Sequence, residues 1–209
     1  MRYAPKISLV LRNPMPFLAL AASIAVAPGV DKDKGRFAPP AIGTIESKQV
    51  AGGVTIAAVP YHTETLASEA FGKLNPYQYG VLPVLLMIQN DSKETLTLER
   101  MSVEYIDKNR ERIEATPAAE IKYARAPKRP SMTPSPIPGV MIRGGRKNPL
   151  AASQIEERAF SAKMLPPGES AYGFVYFQTG HRSGSRVYLT SIEQASTGKE
   201  LFYFDVPLD

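Results

Sequence analysis

The chain has no cysteine, no tryptophan and only two histidines in 209 residues. Without cysteine there can be no disulfide, no thiolate metal site, no cysteine nucleophile and no lipid-modified cysteine. The compartment is left open, because many exported proteins carry no disulfide. His62 and His181 are too few to supply the ligand shell of a zinc site, and no third ligand stands at a recognisable spacing from either. No apolar run reaches the ~20 residues of a bilayer-spanning helix. Hydrophobic residues make up 44% of the chain, with charge of both signs, enough to bury the core of one ordinary domain and to exclude disorder throughout.

The N-terminus has a directional pattern. Arg2, Lys6 and Arg12 precede an apolar run over residues 15–27, MPFLALAASIAVA, the order of a secretory signal. Residues 1–27 are therefore expected to be a signal peptide, with Ala25-Val26-Ala27 or Ala19-Leu20-Ala21 as the cleavage site. Export to the periplasm or cell envelope follows if the source is bacterial. Removal of those three cations lowers the formal charge from +5 to +2. Residues 28–52, polar and broken by Pro39-Pro40 and Gly52-Gly53, read as an extended lead-in to a domain over residues 53–209.

That domain reads as mainly β. From residue 81 to 88 nearly every position is apolar, the mark of a strand covered on both faces. Asn90-Asp91-Ser92-Lys93 supplies turn chemistry, and with the following strand suggests a hairpin over residues 80–107. In that second strand Leu96 and Leu98 share one parity while Met101, Val103 and Tyr105 share the other, so a break is expected near Glu99 and Arg100. Residues 54–61 form the first strand, ended by Pro60, and residues 65–74 a short helix closed by Gly72. Pro166-Pro167-Gly168-Glu169 fits a type II turn launching an aromatic strand over residues 171–178, the partner of residues 81–88. Two further strands, over residues 186–192 and 201–206, complete an antiparallel β-sandwich. Leu85, Ile88, Val103, Phe174, Val175, Leu189 and Phe204 are its expected core.

The insertion at residues 125–163 differs in composition. Thr116-Pro117 opens a short helix before it. Residues 125–148 hold five prolines and three glycines, which exclude helix and strand and leave a long loop. Asn148-Pro149 then has the cap and first-turn proline of a helix over residues 148–162, with Leu150, Ala151, Ile155 and Ala159 on one face.

The segment FGKLNPYQYGVLPVLLMIQND, taken with MLPPGESAYGFVYF, resembles a group of uncharacterised exported bacterial proteins built on an immunoglobulin-like sandwich. The resemblance covers residues 54–208. It implies a fold and an envelope location, carries no catalytic residues across, and lacks the antibody-type cysteine pair around a tryptophan.

No motif names a reaction or implies a cofactor. GVMIRGGR, residues 139–146, has glycines at phosphate-loop spacing but Gly145 and Arg146 where lysine and a hydroxyl residue are required. Gly180-His181-Arg182-Ser183-Gly184 has one residue too many before its serine for a nucleophile elbow. Glu156 and Glu157 point about 100° apart on a helix, which suits a solvated face. Asn90-Asp91-Ser92 matches a glycosylation sequon but is more simply turn chemistry.

Charge is the uneven property. Between Lys122 and Asn148 there are seven cations and no acid, whereas the remainder has 18 basic and 20 acidic residues. Lys128, Arg129, Arg143, Arg146 and Lys147 are thus the candidate contacts for a partner, an anionic envelope component or another envelope protein rather than nucleic acid, because no aromatics are interleaved with them. The plain alternative is a solvated connection. Two classes of function stay open: a non-enzymatic envelope protein that binds, adapts or supports, and a hydrolase with a carboxylate-based site on the loops. The second requires His62 and His181 to converge in one cleft with Glu64, Glu69 or Glu169.

Overall fold

The computed structural model describes residues 37–124, 133–134, 141–142 and 148–209. The expected signal peptide, residues 1–27, and the five candidate cations, Lys128, Arg129, Arg143, Arg146 and Lys147, lie outside the described residues. In chain order the elements are β1 (Lys48–Ala51), β2 (Val54–Pro60), α1 (Glu64–Phe71), β3 (Leu82–Asn90), β4 (Leu96–Thr97), β5 (Ser102–Ile106) and β6 (Arg112–Glu114). They continue with β7 (Thr133–Pro134), β8 (Met141–Ile142), α2 (Ser153–Glu157), β9 (Met164–Leu165), β10 (Ser170–Phe177), β11 (Arg186–Thr190), β12 (Glu193–Gln194) and β13 (Phe204–Pro207).

The strands form an antiparallel β-sandwich, the mainly β class expected. One sheet has the order β1-β2-β3-β10 and the other β13-β11-β5-β6, with a small β12-β4-β9 sheet beside them and a separate β7-β8 pair. β3 is buried along nearly its whole length, as its unbroken apolar run requires. One parity, Leu82, Val84, Leu86 and Ile88, packs with Val103 and Tyr105 of β5, Val187 and Leu189 of β11, and Phe204 and Val206 of β13. The other parity, Leu85 and Met87, packs with Phe174 and Tyr176 of β10 and with Phe71, Ile121, Leu150 and Ile155. The first sheet is therefore a central layer, covered by strands on one face and by helical turns on the other. Each large apolar side chain removed from water here contributes roughly 1.5–3 kcal/mol.

The hairpin expected over residues 80–107 does not form. Both edges of β3 are already taken, by β2 in register Val54 to Asn90 and by β10 in register Ser170 to Gln89, so no edge is left for a returning strand. The chain instead crosses to the opposite sheet, where β5 pairs with β11 and β6. The break near Glu99 and Arg100 is real: β4 and β5 belong to different sheets, and the Met101 N–H closes a turn on the Leu98 carbonyl at 3.1 Å.

The helix expected over residues 148–162 is also shorter than its pattern. Pro149–Ala151 forms a 3-10 turn, Ala152 is extended at φ −71° and ψ 135°, and α2 runs for five residues only. Beyond it the backbone prefers the free edge of β10. Phe160 N–H donates to the Phe174 carbonyl at 2.9 Å and Phe174 N–H donates to the Arg158 carbonyl at 2.7 Å. Gly173 allows that approach, since a Cβ there would overlap the Phe160 backbone.

Other expectations hold. α1 is capped by the Thr63 hydroxyl on Leu66 N–H and ends at Gly72, φ 64°. The type II turn has Gly168 at φ 77°. Thr116-Pro117 leads into a 3-10 helix, Ala118–Tyr123. Of the expected core, Leu85, Ile88, Val103, Phe174, Leu189 and Phe204 are buried. Val175 is only half-buried, because it lies at the edge where the two sheets part.

Candidate functional site

Three places have functional chemistry: the flanks of the basic segment, the side where the sheets part, and the two histidines.

In sequence the basic segment lies between the 3-10 helix Ala118–Tyr123 and Asn148. Ile121 and Leu150, on either side, are buried in the same cluster. Asn148 joins the flanks directly: its Nδ2 donates to the Lys122 carbonyl at 2.6 Å, and its Oδ1 accepts from Leu150 N–H at 3.0 Å. Lys122 and Glu156 form an exposed ion pair at 4.0 Å across the same junction. Lys122 and Asn148, which flank the basic segment, are thereby fixed side by side on the helical face of the central sheet. The turn that follows Asn148 is a three-residue 3-10 turn whose Leu150 N–H is taken by the Asn148 cap.

On one side the sandwich is closed, β1 lying against β13 with the Gln49 carboxamide oxygen accepting from Asp205 N–H. On the other side β10 and β6 diverge and leave a groove of 780 Å³. Its floor includes Val103, Phe160 and Val175, and its rim has the Lys163–Glu99 ion pair at 3.1 Å and Glu114.

The two histidines meet. His62 follows β2 and His181 lies between β10 and β11, with ring centroids 4.4 Å apart and planes tilted by 32°. They border a 340 Å³ pocket with Leu66, Leu208, Glu46 and Asp209. The loop carrying His181 is held at several points. His181 N–H donates to the Tyr77 hydroxyl at 3.2 Å and Arg182 N–H to the Tyr105 hydroxyl at 3.1 Å. The Arg182 guanidinium donates to Asp107 at 2.9 Å, and Gly184 N–H donates to Asp209 at 2.8 Å. Burial lowers the His181 pKa, the neighbouring His62 lowers it further, and Asp209 opposes both. Sequence spacing gave no sign of this pair, since tertiary packing alone brings the two loops together.

The carboxylates named with the histidines, Glu64, Glu69 and Glu169, do not border the histidine pocket. Glu64 and Glu69 belong to α1 and Glu169 to the turn before β10, and the acidic residues that border the pocket are Glu46 and Asp209. Both Asp209 oxygens accept from Gly184 N–H, so this carboxylate is used in holding the loop. Among the described residues no three His, Asp or Glu side chains are grouped as metal ligands would be. Nor is any described helix long and apolar enough to cross a membrane.

No family model matches the chain, and no curated protein matches it. Among solved structures it is similar to the yjhA protein from Bacillus subtilis, with a TM-score of 0.43 and 10% identity over 79% of this chain and 98% of that one. It is also similar to a chain of the archaellum periplasmic stator protein complex of FlaF and FlaG from Sulfolobus acidocaldarius, with a TM-score of 0.29 and 13% identity over 58% of this chain and 76% of that one. Likenesses of this degree assign no function.

Proposed function

We propose that the protein is a non-enzymatic, exported binding module in which a rigid sandwich presents the basic segment at residues 125–147 to an anionic component of the cell envelope. The carrying observation is the Asn148 clasp on Lys122, which anchors both flanks of the segment to the buried Ile121 and Leu150. Between those flanks the sequence places Lys128, Arg129, Arg143, Arg146 and Lys147 and no acid. A connection of this length on a packed scaffold is longer than joining two elements requires, and loops held by rigid scaffolds are where binding residues concentrate. Export rests on the basic-then-apolar order of residues 1–27.

Co-sedimentation with phosphatidylglycerol vesicles, compared with phosphatidylcholine vesicles, tests the reading. The mature protein is expected to sediment with the anionic vesicles at low salt and to be released as salt rises, because exposed charges are screened within a Debye length of ~10 Å at 0.1 M. Absence of binding to anionic vesicles and to an anionic envelope polymer would leave the segment a solvated connection.

A further inference from the structure

The only two histidines in the chain, distant in sequence, have their rings in contact, with planes tilted by 32°. His62 Nδ1 lies 3.2 Å from the Pro60 carbonyl, an acceptor only, so Nδ1 carries the proton when this ring is neutral. The Tyr77 ring meets His62 edge-on at 6.3 Å. His181 Nδ1 faces the Ser185 hydroxyl at 3.5 Å. We propose that His62 and His181 form a proton-responsive latch: the ring contact holds while at least one imidazole is neutral, and a second proton separates the rings and releases residues 180–184 from residues 60–63.

Burial and the charge of His62 act against a proton on His181, and Asp209, beyond β13, acts for it. Glu46, before β1, borders the same pocket. Glu64 follows His62 at the start of α1, and Arg182, beside His181, is committed to the buried Asp107. Two imidazolium charges with ring centroids 4.4 Å apart repel each other, which makes the second protonation less favourable than the first. The sign follows from linkage. His181 has its folded pKa depressed, mainly by burial, so the open or unfolded state takes the proton more readily. The closed latch is therefore fully stable above the ordinary histidine pKa of about 6.5 and loses stability as pH falls below it. Opening widens the 340 Å³ pocket that the pair borders.

An NMR titration of the imidazole Cε1–H signals tests this directly, because every histidine signal of the mature chain belongs to the pair. The expected result is two steps separated by about one pH unit or more. The inter-ring NOE should disappear at the lower step, with simultaneous shifts of the Arg182 and Gly184 amides. His62→Phe keeps a ring for His181 to contact but removes the second charge. In that variant His181 should titrate once, at higher pH than in the wild type, and the lower step at Gly184 should vanish. Independent titration of both imidazoles near the ordinary value, an NOE that survives the lower step, or an unchanged His181 titration in His62→Phe would overturn the proposal. If the variant fails to fold, the wild-type titration still decides.

Discussion

The Asn90 carboxamide is fully buried, and both of its ends are bonded. Nδ2 donates to the carbonyls of Glu94 at 2.8 Å and Leu165 at 2.9 Å, while Oδ1 accepts from Ser92 N–H at 3.1 Å and the Ser92 hydroxyl at 2.6 Å. One side chain thus turns the chain out of β3 and ties the crossing to β9. A buried sequon asparagine of this kind is a structural residue. Asn90→Ala removes all four of these bonds and should cost about 2–4 kcal/mol, read as a lower urea midpoint with an unchanged slope. Asp107 shows the same economy of position. Its carboxylate accepts from Glu111 N–H and Asn109 N–H, at 2.9 and 2.8 Å, and from Arg182. Those backbone donors, Glu111 first, with Arg182 behind them, hold its carboxyl below the usual range despite some opposing desolvation. Because its folded pKa is depressed, its contribution is complete above the unfolded value of about 3.9 and is lost as pH falls through the folded one. Asp107→Asn should flatten the acid limb of the stability profile below pH ~4, as thermal melts across that range would show.

At the scale of elements, some of the fold was legible and some was not, for physical reasons. The β3 run could be read as a doubly covered strand because burial of both faces leaves no polar position to alternate with. Gly72 and Gly168 announced their turns because each needs positive φ. The false hairpin arose because Asn90-Asp91-Ser92 chemistry serves a crossing between sheets as well as a return within one. Only the identity of the β3 edge partners, β2 and β10, decides between them. The helix over residues 148–162 failed for a related reason: its apolar spacing was sound, and Leu150 and Ile155 are buried, but pairing of residues 158–160 with β10 outcompeted further helical turns. Gly173→Ala should therefore detach that pairing, seen as faster hydrogen exchange at Phe160 and Phe174 while β3 stays protected. Asn148→Ala removes both the cap and the clasp on Lys122, and should cost about 1–2 kcal/mol in thermal or urea unfolding.

For the molecule as a whole, the two-sheet packing closes one side, leaves a groove on the other and fixes the flanks of the basic segment on the helical face. The sequence revealed the charge of that segment but not its base, since the meeting of Lys122 with Asn148 depends on Ile121 and Leu150 sharing one cluster. Export belongs to this scale too. N-terminal sequencing of envelope-fraction protein should find a first residue between positions 22 and 30, whereas recovery of the chain from cytosol with Met1 intact would contradict it.

The most direct test of the central claim replaces Arg143, Arg146 and Lys147 together by alanine and compares binding to phosphatidylglycerol vesicles at low and moderate salt. The melting temperature should stay nearly unchanged, since substitutions away from packed features are usually within about 0.5 kcal/mol, and the salt-sensitive binding should weaken. Equal binding by the triple variant and the wild type at both salt concentrations would contradict the account.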